Sequence, residues 1–321
     1  MTGDGDAVPA RSWTRLRPSR KGGRARSEGR AAYLFLSPWI VGFLVFTAGP
    51  MVASFVLSFT DYSTINSPKS VGLANYQQLF SDPKVARALS NTLVYAALNV
   101  PMSIVVALVL AMLLLRVGRA AGFFRTVYYL PVMTPPVAVG ALFLLLLNGN
   151  NGLVNDALSL VGVHGPNWTT DPAWMKPSLV LTTVWGVGGT VVIYLAALRD
   201  VPVNLYEAAA IDGAGAWTQF RRVTLPMISP AVFFTTIVLT IHSLQTFDQA
   251  FTMFYGNANQ RTYSSDAALF YVIYLFQQAF QFLHMGYASA LAWLLFVIIM
   301  VITVIQMKVG GRFVYYEGGR D

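Results

Sequence analysis

Hydrophobic positions in this chain fall in long uninterrupted runs, not in the alternating pattern of a half-buried strand. Six stretches contain no Asp, Glu, Lys or Arg: approximately Tyr33–Phe59, Asn91–Leu115, Val127–Leu147, Pro177–Leu198, Ile228–Phe247 and Met285–Met307. Each meets the requirement of about 20 apolar residues for a helix crossing about 30 Å of hydrocarbon. In lipid only helices and closed barrels satisfy their own backbone hydrogen bonds, and these runs lack the alternation of barrel strands. The pattern predicts an all-α, polytopic membrane protein with six transmembrane helices. A seventh apolar segment, Ala267–Phe276, is too short to span and reads as an interfacial or re-entrant helix.

Composition agrees. Of 321 residues, 55% are hydrophobic and only 11% charged, and mean hydropathy is +0.54. A soluble globule carries about a quarter of its residues as charges, so a soluble enzyme is excluded, and disorder is excluded by the apolar content. No cysteine is present, which removes disulfides, thiolate metal sites and cysteine nucleophiles.

The formal charge of +8 is distributed topologically. Of the 22 Lys and Arg, 17 lie before Tyr33, in Arg116–Arg125, in Arg199–Arg222 and after Met307; the other connections carry five. The positive-inside rule therefore places both termini and the loops near residues 120 and 210 in the cytoplasm. Residues 1–32 read as a flexible basic cytoplasmic segment, 33–307 as the transmembrane domain and 308–321 as a cytoplasmic tail. The Arg-rich head is a topology signal and not a nucleic-acid site. The run behind it is too long for a signal-peptide core and no cleavage site follows, so the first span is expected to stay uncleaved. Trp168 and Trp174 in the outward loop Asn148–Lys176 read first as headgroup-level anchors, with the docking of a partner as the alternative.

One cytoplasmic loop, residues 200–228, departs from the pattern. Asn204-Leu-Tyr-Glu207-Ala208-Ala209-Ala210-Ile-Asp212-Gly213-Ala-Gly215 continues through Trp217, Phe220 and Val223 to Leu225-Pro226. It reads as helix, glycine break, helix. Asn204 and Glu207 have capping-box spacing, the alanines favour helix with little bulk, and Gly213 and Gly215 permit positive φ. Phe220, Val223 and Leu225 share a face of the second helix, which Pro226 is expected to end.

The spacing Glu207-Ala-Ala-x3-Gly213-x9-Val223-x-Leu225-Pro226 resembles the EAA loop of bacterial ATP-binding-cassette importer permeases, with Val223 where that family usually has Ile. Asp212-Gly213-Ala214 and Pro230 resemble its carbohydrate branch, the maltose and glycerol-phosphate type. So do Val71-Gly-Leu-Ala-Asn75-Tyr76, Phe124-Arg125-Thr126 with Leu130-Pro131, Phe247-Asp248, Ala279-Phe280 and Gly286-Tyr287-Ala-Ser-Ala290. The resemblance implies the type I (MetI-like) permease fold in the bacterial inner or plasma membrane. It also implies a second homologous permease, two ATPase subunits holding ATP-Mg, and an extracytoplasmic sugar-binding (lipo)protein as partners. Glu207, Ala208, Ala209, Asp212, Gly213, Leu225 and Pro226 would then couple to the ATPase.

The chain itself has no phosphate loop of the G-x-x-x-x-G-K-[ST] type, no G-x-S-x-G element and no metal-ligand spacing among His164, His242 and His284. It is expected to bind no cofactor and to be no enzyme. Within the spans, His242, Gln245 and Asp248 recur at intervals of three and define one side of a helix. A carboxylate there is expected to face the bundle interior or a water-filled path. With Phe247, Phe251 and Tyr255 supplying flat apolar faces, these residues form a candidate substrate path, to which Trp185 adds a possible stacking surface. The glycines of Trp185-Gly186-Val187-Gly188-Gly189 read first as helix-packing positions, and Asn99 with Pro101 as a kink. The alternative class, an ion-coupled secondary transporter, ordinarily carries midplane charges and inverted repeats, and neither is evident here.

Overall fold

The computed structural model describes residues 33–255 and 266–311; the basic head, Arg261 and tail positions 312–321 fall outside them. The described residues are helical, with no strand beyond the isolated bridges Thr60–Ser70 and Ser63–His284. Two compact units are separated after Ser54. The first belongs to helix α1, Tyr33–Leu57, which contains a π-turn at Leu44–Ala48.

The second unit begins with α2 (Ala74–Ser81) and the 34-residue α3 (Pro83–Arg116). Asp82 caps α3 by accepting from the Lys84 amide at 2.9 Å, and Pro83 supplies its preset φ at the first position. Helix α3 runs through Pro101 without interruption, so the expected kink does not end it. Next come α4 (Ala121–Tyr129), α5 (Pro136–Leu146), the short α6 (Leu153–Ser159), α7 (Pro172–Trp185) and α8 (Gly188–Arg199). Beyond the cytoplasmic-loop elements, α11 (Ser229–Leu244) and α12 (Asp248–Tyr255) form one 27-residue apolar stretch. Helix α13 (Tyr271–Phe276) and the last helix, α14 (Met285–Gly310), complete the unit.

Among the described residues four helices are individually long and apolar enough to span; the two remaining predicted spans are bent pairs. Val127–Leu147 is not one helix: Ala121–Met133 and Pro136–Leu146 meet at 99°. Thr134-Pro135-Pro136 explains the break, because each proline removes a backbone donor and pushes its predecessor toward extended geometry. The fourth stretch bends by 54° between Trp185 and Gly188. The short segment Ala267–Phe276 is embedded in protein, with Ala268, Phe270, Tyr271 and Ile273 fully buried.

Three apolar clusters hold the unit. One joins Tyr95, Phe143, Leu179, Met253 and Phe270; a second joins Ala107, Ala111, Val191, Tyr194 and Ile228; a third joins Val85, Tyr274, Tyr287 and Leu291. Buried hydroxyls bond back along their own helices, as Thr92 does to the Ala88 carbonyl (2.9 Å) and Thr182 to Ser178 (2.9 Å). Non-helical backbone is satisfied from across the fold. Asn91 donates to the carbonyls of Asp266 and Leu269, Thr92 accepts from the Tyr271 amide, and Lys176 reaches the Ala267 carbonyl.

Several motif positions prove to be such ties. Asn75 donates to the Ser58 and Thr60 carbonyls at 2.8 and 2.9 Å, and Tyr76 shares a hydrogen with Ser58. Gly286 lies so close to this corner that a Cβ would stand 1.9 Å from the Thr60 carbonyl oxygen. Beside it, the Asp82 carboxylate accepts from the hydroxyls of both Tyr274 and Tyr287. Burial raises the Asp82 pKa, but the donors Tyr274, the Lys84 amide and Tyr287 outweigh it and hold the carboxyl below its ordinary value of 3.8.

Two outcomes test this packing. A Cβ on Gly188 would meet the Tyr128 carbonyl oxygen at 1.9 Å, whereas nothing lies within 4 Å of one on Gly189. In thermal unfolding of the detergent-solubilised protein, Gly188→Ala is expected to destabilise by about 1–3 kcal/mol, and Gly189→Ala by less than about 0.5 kcal/mol. Because the folded-state pKa of Asp82 is depressed, its contribution is complete above 3.8 and lost as the pH falls through the lower folded value. The difference in Tm between wild type and Asp82→Asn is therefore expected to be constant near neutrality and to shrink on acidification below pH 3.8.

Candidate functional site

Two places in the second unit concentrate chemistry. The first is the loop hairpin. Helix α9 (Val203–Ile211) starts from Pro202 and has no side-chain cap, so the predicted capping box of Asn204 and Glu207 does not form. Pro202, with φ near −61°, takes the cap position two residues earlier, which places Asn204 inside the first turn. The helix ends in a Schellman arrangement: Gly213 donates to Ala210 at 3.0 Å and Ala214 to Ala209 at 2.9 Å. Gly213 has φ +78°, as the break requires. Gly215 does not; its φ of −69° and ψ of 168° are extended and begin α10 (Ala216–Gln219).

Pro226 does not end the second arm. A π-turn over Phe220–Thr224 leads into helical Leu225–Met227, and the widened turn relieves the clash between the proline ring and the carbonyl four residues back. Phe220, Val223 and Met227 pack on the second cluster, and Tyr206 is joined to Thr224 by a 2.9 Å hydrogen bond across the arms. Glu207, Ala208, Asp212, Gly213 and Leu225 are exposed, while Ala209 and Pro226 are half-buried. Exposed apolar side chains the motif did not single out flank them: Val203, Ile211 (87% exposed) and Trp217, which stacks on Phe220.

The second place is a cavity of about 220 Å³ where α3, α5, α7 and α11–α12 meet. His242, Gln245 and Asp248 all line it. They are not on one continuous helix: α11 stops at Leu244, Gln245 (φ −101°, ψ 15°) caps it, and α12 restarts at Asp248. The interruption turns the three side chains into one space. Tyr95, Asn99, Thr183, Ser243 and Thr246 share it, with Phe247 as its aromatic face. Tyr95 and Thr183 are hydrogen-bonded at 2.8 Å, and Asn99 donates to Ser243 at 2.9 Å. Asn99 is thus a wall residue as well as a helix tie. Trp185 does not line the cavity; it packs edge-on against Phe143 at the bend of the fourth stretch. Phe247, Phe251 and Tyr255 stack in succession along α12, with centroids 5.2 and 5.9 Å apart.

Hydroxyls, amides, one imidazole, one carboxylate and an aromatic face suit a neutral polyhydroxylated solute, which presents hydroxyl edges and apolar C–H faces. Among the described residues no group of three His, Asp or Glu is placed to hold a metal.

With this geometry in hand, comparison with known proteins decides the family. The model of the binding-protein-dependent transport system inner membrane component matches residues 100–313. The chain belongs to that family. The probable ABC transporter permease protein YesP of Bacillus subtilis (strain 168) is 36% identical, covering 94% of this chain and 97% of its own. The lactose transport system permease protein LacF of Rhizobium radiobacter is 33% identical, covering 85% and 92%. A chain from the crystal structure of a bacterial ABC transporter that imports the acidic polysaccharide alginate superposes with a TM-score of 0.78 at 25% identity, covering 91% of this chain and 99% of that one. A chain from the crystal structure of a bacterial alginate ABC transporter in complex with an alginate pentasaccharide-bound periplasmic protein superposes with a TM-score of 0.77 at 25% identity, covering 91% of this chain and 98% of that one. The resemblance read from the motifs is borne out: this is a permease component of a binding-protein-dependent transport system.

Proposed function

We propose that this permease component forms one half of the translocation path of an ATP-driven sugar importer and is driven through the 200–228 hairpin. The observation that carries the reading is the hairpin itself. It presents Glu207 and Asp212 beside small alanines and Gly213, while the Tyr206–Thr224 tie and the Phe220–Val223–Met227 face bind it to the bundle. A partner that grips the exposed arm moves the helices under it, because little between them is free to yield. The partner is an ATPase dimer binding ATP-Mg. Glu207 pairs with one of its basic side chains, Ala208, Ala209 and Gly213 allow close backbone approach, and Leu225 and Pro226 transmit the motion. Both termini and the hairpin lie on the cytoplasmic side, a second homologous permease completes the path, and an extracytoplasmic binding protein delivers the solute.

The sugar assignment rests on the cavity chemistry and on relatives that carry lactose, arabinooligosaccharides and starch degradation products. His242, Gln245 and Asp248 contact the solute; Trp185 holds the bend beside it.

In proteoliposomes containing the assembled importer, Gly213→Val places a β-branched residue at φ +78°. It is expected to lower uptake per ATP hydrolysed by about tenfold or more, with membrane insertion unchanged. Normal coupling in that variant rejects the docking role. Removing a hydrogen-bonding side chain from the cavity by Gln245→Ala, or the negative charge by Asp248→Asn, is expected to reduce uptake by about 10- to 100-fold, from loss of about 1.5–3 kcal/mol per charged or buried contact. Unaltered uptake kinetics in both variants would place the solute elsewhere.

A further inference from the structure

On the surface of the second unit, α3 and α7 leave between them an apolar groove of about 310 Å³. Leu98 and Met102 line it from α3, and Pro177, Val180, Leu181 and Val184 from α7. It shares no lining residue with the polar cavity. Leu98, Met102 and Leu181 are exposed, so the groove opens outward from the bundle and is no part of its core. At 1.5 Å per residue its α7 wall, Pro177 to Val184, is about 10 Å long, against about 15 Å for the depth of one hydrocarbon leaflet.

The end of the groove away from the 200–228 hairpin carries positive charge. Lys176 directly precedes Pro177, and Arg87 lies about three turns before Leu98 on the same face of α3. The charge that acts on Lys176 is the Arg87 guanidinium, a like charge, and its ammonium donates to an uncharged partner, the Ala267 carbonyl, at 3.2 Å. The carboxylates nearby are otherwise placed. Asp82 is engaged by Tyr274, Tyr287 and the Lys84 amide, and Asp171 caps α7 by accepting from the Ala173 amide at 2.9 Å. Among the described residues no carboxylate, exposed Asp266 included, is ion-paired with either cation. Trp174, packed edge-on against Trp168 at 4.9 Å, stands two positions before Lys176 and is of the residue type that settles at headgroup depth. Two neighbouring cations above an apolar slot repel one another until an anion joins them.

We infer that this is a seat for one anionic phospholipid, its phosphate between Arg87 and Lys176 and one acyl chain in the groove below. Charge selects the occupant. An apolar helix of another subunit leaves both cations unmatched, and a zwitterionic lipid brings an ammonium of its own. A phosphatidylglycerol headgroup brings one net negative charge, which the guanidinium fork and the lysine ammonium both suit. A chain wedged here bears on the same helix pair whose Tyr95–Thr183 hydrogen bond walls the polar cavity, so the lipid steadies that wall from behind. The inference needs only a permease component in a bilayer and stands apart from the ATP-driven reading.

The test uses the full-length chain, purified with whatever subunits stay bound and reconstituted in phosphatidylethanolamine–phosphatidylglycerol vesicles. In this cysteine-free chain, Val94→Cys places a bimane label at an exposed position one turn from Leu98. Brominating the acyl chains of one lipid or the other at constant composition, and comparing the quenching, gives their relative affinity at the groove. Phosphatidylglycerol is expected to be preferred by about fivefold for each cation it meets. Arg87→Gln and Lys176→Gln are each expected to lower that preference by about fivefold, whereas Arg87→Lys keeps it and Arg87→Gln leaves Tm unchanged. Equal affinity of the two lipids in the wild type is ordinary bilayer contact and overturns the inference. Quenching by neither lipid means that a protein helix fills the groove, and overturns it as well. A preference that survives the double Gln variant puts the anion elsewhere. None of these results touches the role of the hairpin.

Discussion

A backbone amide or carbonyl that leaves a helix inside an apolar bundle has no water to turn to, and each one left unpaired costs as much as several well-packed methyl groups contribute. This structure leaves helical geometry repeatedly: before α2, around residues 266–270, between α11 and α12, and at the two bends. At the first two places amide and hydroxyl side chains from distant helices supply the missing partners. Asn75, Asn91 and Thr92 are therefore to this fold what ladder hydrogen bonds are to a sheet. The outer corners of the bundle depend on them, since the apolar clusters by themselves fix no register.

Seen this way, the two glycine-capped helix ends share a logic. At Gly213 and at Gly162 the chain reverses within one turn and satisfies its terminal carbonyls internally, leaving neighbouring side chains free of structural duty. One end shows carboxylates and alanines, the other leucine and valines. The backbone device is the same, and the side chains it displays differ.

Much of this was readable in the chain. Uninterrupted apolar runs located the helices because the requirement is one-dimensional: enough carbon to cover a given thickness. The glycine break at 213 was also local and fell where expected. What escaped the reading was geometry within a run. Thr134-Pro135-Pro136 sits in so apolar a stretch that hydropathy passes over a 99° corner. Pro202 moved the start of α9 away from Asn204, and a π-turn carried the second arm through Pro226. Asp82 drew no notice at all, because its partners Tyr274 and Tyr287 are about 200 positions away along the chain. The cavity was half legible: His242, Gln245 and Asp248 announced themselves by spacing, whereas Tyr95, Thr183 and Ser243 joined them only through the packing of three helices.

The gap between α11 and α12 has a mechanical corollary. Gln245, Thr246 and Phe247 are both the unwound joint of the fifth stretch and part of the cavity wall. A solute seated there would hold the joint from inside, which would make occupancy and the bend angle of that stretch variables of a single equilibrium. Filling the space stiffens the elbow, and flexing the elbow reshapes the space.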